Sequence, residues 1–498
     1  DLSIRQDLSA LTKGLAAEAS VSFDNIGGMN ETTNKEYRYM NSNASITSDG
    51  TLVTTPAIYG TDSETLGHTQ PFERLMLRSD FQAKVDYNRT FGKHQVGGAL
   101  IYDMQSVVKN GRNNSQKNQS VLVNATYTYD NRYSLNAVFN RSGSAYLPDG
   151  DKYSNYPAVS AAWIVSNEAF MEKVTPINLF KIRASYGLSG WDGNLSHELW
   201  RQSYGSGGAG YNFGVNAGGQ SGGSEGDLPV IGLVAEKSQK ATFGFDLAAF
   251  DNRLNATVEG FYEKRSDILV SGANSTSGII GITVGQVNEG IYKYKGVDAS
   301  LSWNDKIGDF HYGIGASMSY LNTEVVNVNQ AYQEYDYLYT KGNRIGQMYG
   351  LEAIGFFNSQ QEINNSPQQT FSDVAPGDVK YKDQNGDNRI DEKDIVKMFG
   401  SSVPRFYFGF NLNFSYKRLE LSADFQGMTG VTVSLLNSPL YSPLVSNGNI
   451  SNTFLNEEIS WTPENKTNAT MPRLTTQENL NNYRASSLWY RDGSFLKL

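Results

Sequence analysis

An all-β, membrane-spanning antiparallel barrel is the fold class this sequence predicts. Three observations predict it: tight two-residue turns between long strands, one apolar face per strand, and connections that alternate short and long. The turns Gly92-Lys93, Asp130-Asn131, Asp251-Asn252 and Lys417-Arg418 stand out. Before the last, Phe406, Phe408, Phe410, Leu412, Phe414 and Tyr416 alternate with Arg405, Tyr407, Gly409, Asn411, Asn413 and Ser415; after it, Leu419, Leu421, Ala423 and Phe425 alternate with Glu420, Ser422, Asp424 and Gln426. Successive side chains on a strand point to opposite faces, so each strand carries one apolar and one polar surface. A lipid-facing barrel with a polar interior requires that pattern.

Strands are expected at 1–9, 15–26, 75–90, 95–104, 118–129, 132–141, 157–165 and 179–188, then at 236–249, 253–266, 291–304, 310–322, 405–416, 419–428 and 486–498. That makes about fifteen strands of membrane-crossing length. Short connections fall near 10–14, 91–94, 130–131, 250–252, 305–309 and 417–418, with a medium one at 166–178. Long ones fall at 27–74, 105–117, 142–156, 189–235, 267–290, 323–404 and 429–485, and the alternation never slips. Short turns of bacterial barrels face the periplasm and long loops the exterior, so 27–74, 189–235, 323–404 and 429–485 are expected to be extracellular. Residues 1–498 read as one partial barrel. The Gly-rich stretch 205–226 reads as a mobile loop; no phosphate-binding GxxxxGK[S/T] follows it.

Composition agrees. Thirty tyrosines and 24 phenylalanines suit strand interiors and the aromatic girdles of a barrel. No apolar run reaches the length of a spanning helix. Cysteine is absent, which removes disulfides and thiol chemistry, and a net charge of −9 without a basic stripe argues against nucleic acid.

Several segments then resemble a known family. They are Asp80–Val96 (DFQAKVDYNRTFGKHQV), Tyr127–Phe170, Leu179–Gly190 (LFKIRASYGLSG), Glu236–Leu269, Pro376–Asp394 (PGDVKYKDQNGDNRIDEKD), Trp461–Asn465 and Asp492–Leu496. Together they resemble the internal to C-terminal barrel portion of the SusC/RagA family of TonB-dependent transporters from the outer membrane of Gram-negative Bacteroidetes. The resemblance implies a barrel of about 22 strands around a plug. It also implies a SusD-like lipoprotein lid, energy from TonB–ExbB–ExbD through a TonB box, and import of a bulky nutrient. An oligosaccharide is the cargo the family makes most frequent, with oligopeptide as the runner-up. On that reading the plug and terminal strands lie outside this chain, and strands 1–9 and 486–498 pair with absent barrel segments. A passive adhesin or scaffold, and a barrel hydrolase, are the rival classes.

One motif suggests a metal. Asp383, Asn385, Asp387, Arg389, Asp391 and Asp394 fall at positions 1, 3, 5, 7, 9 and 12 of an EF-hand-like loop, with oxygen donors suited to Ca²⁺. Asn388 replaces the turn glycine and Asp394 the long bidentate Glu; a solvated loop of Asx-turns is the plainer alternative. On polar faces Asp246, Glu259, Glu263 and Asp424 are candidates for guiding cargo, for hydrating a plug interface or for pairing with one another. Trp191 and Trp200 are candidates for stacking on sugars or anchoring their loop. His68, His94, His197 and His311 are scattered, no triad or paired-His site exists, and no enzyme is expected.

Overall fold

The computed structural model describes residues 1–46, 51–69, 72–109, 115–211, 220–274, 279, 281–282, 284–436, 459–475 and 479–498. Fifteen strands form one antiparallel sheet in strict chain order, each paired with the next. They are β1 (Leu2–Asp7), β2 (Leu15–Met29), β3 (Phe72–Phe91), β4 (His94–Lys109), β5 (Ser115–Tyr129), β6 (Tyr133–Ser144), β7 (Tyr153–Ile164) and β8 (Ile177–Trp191). There follow β9 (Glu236–Ala249), β10 (Leu254–Ser271), β11 (Gln286–Ile307), β12 (Phe310–Asn327), β13 (Phe406–Tyr416), β14 (Leu419–Thr429) and β15 (Phe495–Lys497). β1 and β15 are the two edges and are not paired with each other.

Because the order is a pure meander, odd-to-even connections share one rim and even-to-odd connections the other. The turns after β5, β9 and β13 lie on the first rim; the connections after β12 and β14 lie on the second. The short rim is made by backbone that tolerates positive φ, which matches strand twist in tight hairpins. Asp130 and Asn131 both stand at +53°, Lys417 at +54° and Gly92 at +58°.

Registers put the apolar residues in rows across neighbouring strands. Ala256, Leu301, Ala316, Phe410 and Phe425 form one such row. On β5–β7 the apolar rows are the exposed face: Val123, Leu135, Phe139 and Val159 are 46–48% exposed, while Asn124, Asn136 and Asn140 behind them are half-buried. A water-soluble sheet would do the reverse, so the solvent for this face is lipid. Toward the turn rim the same face carries Tyr129, Tyr133, Trp163, Phe250 and Trp303, with Tyr133 stacked on Trp163 and Phe250 beside Trp303. Glu168, just past β7, accepts from the Tyr133 hydroxyl and the Trp163 indole, and these bonds hold its carboxyl below the usual range.

Three expectations need correction. Strands run further toward the long-loop rim than alternation indicates: β10 reaches Ser271 and β12 reaches Asn327, where lipid no longer dictates an apolar face. The segment 486–498 is not one strand. Tyr490–Asp492 pairs with Thr432–Ser434 and only Phe495–Lys497 joins the sheet, since Gly493 turns the chain between them, its N–H bonded to the Val431 carbonyl. The Gly-rich stretch forms a hairpin, Tyr204–Tyr211 with Gln220–Glu225, in place of an unstructured loop. Glycine satisfies its backbone bonds there without presenting side chains that would mark a strand.

Candidate functional site: the polar wall and the loop platform

The face opposite the lipid side is polar, and two stretches of it differ. Across β8–β10 it is charged and self-paired. Asp246 meets Lys181 at 3.2 Å and Arg183 at 3.4 Å, Arg183 also pairs with Glu259, and Glu263 accepts from Arg265 at 2.6 Å and from Ser238 at 2.8 Å. Three of the four predicted carboxylates, Asp246, Glu259 and Glu263, are thus held by cations of the same wall.

Across the middle of β11–β14 the wall is made of small side chains with one charge, Asp424. Register places Ser300, Ser317, Gly409 and Gln426 in one row, Ser302, Gly315, Asn411 and Asp424 in the next, and Asn304, Gly313, Asn413 and Ser422 in a third. At two points glycine gives a neighbouring asparagine side chain its room. A Cβ on Gly315 would stand 2.3 Å from the Asn411 side-chain oxygen, and one on Gly313 2.6 Å from that of Asn304. The asparagine amides therefore lie flat over neighbouring glycines. On β5–β6, Asn124, Asn136 and Asn140 each leave a side-chain carbonyl without a partner among the described residues.

At the long-loop rim the connections fold together. Asp378, fully buried, accepts at Oδ1 from Arg473 Nε (2.7 Å), Asn479 (3.1 Å) and Asn482 (2.9 Å), and at Oδ2 from Arg473 Nη2 (3.2 Å) and the Ala375 N–H (2.7 Å). A bidentate Arg–carboxylate pair with its remaining lone pairs filled is the arrangement that makes a buried charge tolerable. Around it Gln369 bonds Asn481 and the Val379 carbonyl, Tyr381 donates to the Asn481 carbonyl, and Trp489 donates to that of Asn482. Gly377, at φ +94°, admits the Trp461 ring and Arg473 where a Cβ would collide. Apolar clusters of Leu351, Val379, Tyr381 and Ile390, and of Met471 and Trp489, complete the platform. Two separate stretches that carry the family resemblance, Pro376–Asp394 and Trp461–Asn465, meet here.

The acidic loop belongs to this platform. Asn388 stands at φ +62°, so the sharp turn is in place without glycine. Asp383 accepts from the Gly386 and Asn388 N–H groups, Asp387 from the Arg389 N–H and the Asn385 amide, and Asp391 from the Lys393 N–H. Asp394 is fully buried, with its oxygens bonded to the Gln384 and Asp391 N–H groups as a capping box. Arg389 opens the short strand Arg389–Ile390 beside Gln368–Gln369. The donors are hard oxygens and the turn fits a cation loop, yet their oxygens face the backbone. Among the described residues no three acidic or imidazole groups converge at metal-holding geometry.

The remaining candidates scatter. Trp191 ends β8 and is exposed, whereas Trp200 packs on the cluster of Leu147, Leu195, Val230 and Leu233 under Arg201. His68 faces Glu31, His94 bonds the Tyr127 hydroxyl, His197 lies edge-on to Tyr146, and His311 sits low on the neutral wall. The Asp378 hub escaped sequence reasoning. Its only signal was the Pro376-Gly377-Asp378 triplet and the paired Asn481-Asn482, neither of which has a periodicity.

Comparison with known proteins agrees with this architecture. Residues 5–437 match the family described as TonB dependent receptor-like, beta-barrel, and the chain belongs to that family. Its relatives in this family are named TonB-dependent receptors. TonB-dependent receptor P26 of Formosa agariphila is 29% identical over 383 residues, covering 75% of this chain and 37% of that protein. TonB-dependent receptor SusC of Bacteroides thetaiotaomicron is 21% identical, over 66% of this chain and 32% of its own length. Among solved structures, the RagAB peptide transporter superposes with a TM-score of 0.71 at 16% identity, over 98% of this chain and 53% of that one, a likeness of fold. The chain spans between a third and a half of the length of the curated relatives it matches.

Proposed function

We propose that the whole protein actively imports a bulky, neutral oligosaccharide across the outer membrane. TonB–ExbB–ExbD supplies the energy, and a SusD-like lipoprotein sits over the long loops, which face the exterior. The observation that carries the cargo class is the middle of the β11–β14 wall, where three rows of hydroxyl, amide and glycine surface hold a single charge, Asp424. Sugar hydroxyls donate and accept, and Ser and Asn side chains answer both roles. The likeness to RagAB, a peptide transporter, keeps oligopeptide as the rival cargo. A hydrolase finds no support in four histidines held in four separate places.

Growth on single glycans tests the reading. A strain with the full-length gene as its only such transporter should grow on a neutral oligosaccharide, and deleting TonB should abolish that growth. Uptake of labelled oligopeptides alone would overturn the cargo, and growth indifferent to TonB would leave a passive scaffold.

Calcium at the acidic loop is a second, smaller proposal, supported by the Asn388 turn. Asp383, Asn385, Asp387, Asp391 and the Arg389 carbonyl would supply oxygens there, and the ion would stiffen the loop.

A further inference from the structure

The lipid face of the central strands carries charge where its apolar band ends. Register continues the row of Val159 through Tyr186, Ala241 and Tyr262 to Lys295. One row nearer the long loops stand Gln239, Lys264 and Lys293, the two lysines directly opposed across β10 and β11. Side chains so placed lie roughly 5 Å apart at Cβ, and like charges there repel. Lys237, further out on β9, is tied to Asp267 at 3.1 Å, and Glu324 stands across from Lys293 on β12. Lys264, Lys293 and Lys295 have no ion pair among the described residues. A chain of net charge −9 thus keeps a positive excess on this patch.

On the membrane side of the lysines the same face is grooved. Gly260 stands between Phe243 and Val297, and a Cβ there would meet nothing nearer than 3.9 Å. The groove measures about 890 Å³ and is lined among others by Phe243, Val258, Tyr262, Lys295 and Tyr320. From Trp303 at the turn rim to Lys293 the strand climbs roughly 33 Å, which a tilt of about 40° turns into about 25 Å, the height of an outer-membrane apolar band. The patch therefore lies at headgroup level. It has paired strands on both sides and faces outward, so neither a plug nor further wall covers it; membrane does.

We propose that Lys264, Lys293 and Lys295, with the groove beneath them, bind lipopolysaccharide of the outer leaflet. The lysines hold a lipid A phosphate and the groove takes an acyl chain. This rests on the orientation that puts the long loops outside, and it is independent of the cargo. Lysine ammonium groups are flexible point charges, so several strands can converge on one phosphate. The anion also relieves the repulsion between Lys264 and Lys293. The opposite rim differs, because Lys93 and Arg132 there are already tied to Asp130 and Glu168.

The test uses the full-length transporter with its lipoprotein, purified in detergent and stripped of lipid. Native mass spectrometry titrates it with monophosphoryl lipid A, phosphatase-treated lipid A and phosphatidylglycerol. The wild type should prefer the phosphorylated lipid A about tenfold over the dephosphorylated form, and should bind it more tightly than phosphatidylglycerol. Lys264→Gln/Lys293→Gln/Lys295→Gln should abolish the preference. Gly260→Leu, which fills the groove and keeps every charge, should weaken both forms of lipid A about threefold. Lys417→Gln on the opposite rim should change nothing. In cells, photoreactive benzoylphenylalanine in place of Tyr262 should cross-link to lipopolysaccharide, and in place of Tyr133 to phospholipid. A preference unchanged in the triple variant overturns the site. Equal binding of phosphatidylglycerol, lost alike in that variant, overturns lipopolysaccharide in favour of anionic lipid at large. A triple variant that binds lipid A normally but forms a smaller assembly overturns it in favour of contact with a second copy of this chain. Cross-links exchanged between the two positions overturn it through the orientation, and the loops would then face inward. None of these outcomes touches the cargo, which growth on glycans decides.

Discussion

Leu135, Phe139 and Leu301 on the sheet stand about half exposed, whereas Trp489, Phe357 and Leu351 in the loops above are at most 1% exposed. The two regions solve the same problem with different solvents. The sheet satisfies its backbone through an unbroken ladder and leaves apolar side chains for lipid, so it needs little interior of its own. The loop platform meets water and builds what any soluble domain builds, an apolar centre plus buried carboxylates, Asp378 and Asp394, whose oxygens are bonded. It follows that the loops are a folded unit and that their stability can be attacked separately from the barrel's.

The largest separation is expected from Arg473→Ala. It strands the Asp378 carboxylate in the platform and should cost about 3–5 kcal/mol. Limited proteolysis should show new cuts in 345–405 and 459–489 while the β-sheet circular dichroism stays unchanged. Removing both charges in Asp378→Ala/Arg473→Ala should recover part of the loss, because the uncompensated charge is gone. Equal collapse of sheet and loops would break the distinction.

The reciprocal experiment targets the sheet. Phe139→Arg on the lipid face, well inside the Tyr133 rim, should cost about 2–4 kcal/mol near the bilayer midplane, and Asn140→Arg, one residue on and facing the polar wall, far less. The pair reads out in reconstitution into liposomes under urea. Similar losses for both would show that the face assignment is wrong.

Alkaline pH should then find the platform first. Burial pushes the Tyr483 hydroxyl up to about 12, and that of Tyr381 likewise upward from the ordinary value of 10.0. Below pH 10 both phenols are neutral in either state. Between pH 10 and about 12 the unfolded chain ionises while the folded platform keeps its protons, so stability falls across that window. Loop tryptophan fluorescence should report the loss before the barrel melts, and Tyr483→Phe should flatten the decline.

The smallest effect belongs to calcium. With the turn already capped by its own backbone N–H groups, added Ca²⁺ should raise the platform's melting by a degree or two and EDTA should reverse it. Asp383→Asn with Asp387→Asn should remove the response. A melting curve indifferent to both reagents would reduce the motif to Asx-turns.

The same contrast explains what was legible in the sequence. Period-two alternation and turn chemistry name the sheet directly, because lipid demands an apolar side chain at every second position of Val121–Tyr129 or Phe406–Tyr416. Strand ends past the membrane lose that demand, which is why β10 and β12 run longer than expected. The platform is written in no period at all. Asp378, Arg473 and Asn482 are brought together over about a hundred residues, and nothing local distinguishes a buried Asp from a solvated one. Asp424 was visible as an acid on a polar face; the uncharged rows beside it emerge only from the register of four strands.

The Asp378–Arg473 pair bridges 95 residues of chain, and β13 and β14 lie between its two halves. Every rung of the sheet joins consecutive strands and can close as soon as its hairpin arrives. The platform cannot, because its halves enter on either side of that hairpin and meet only once both strands have been laid down. Closing so long a loop also carries an entropy cost that shorter hairpins escape. Protease resistance in the loops therefore works as a completion signal. Loops that stay open to cleavage mark a sheet in which β13 and β14 are not yet both in place.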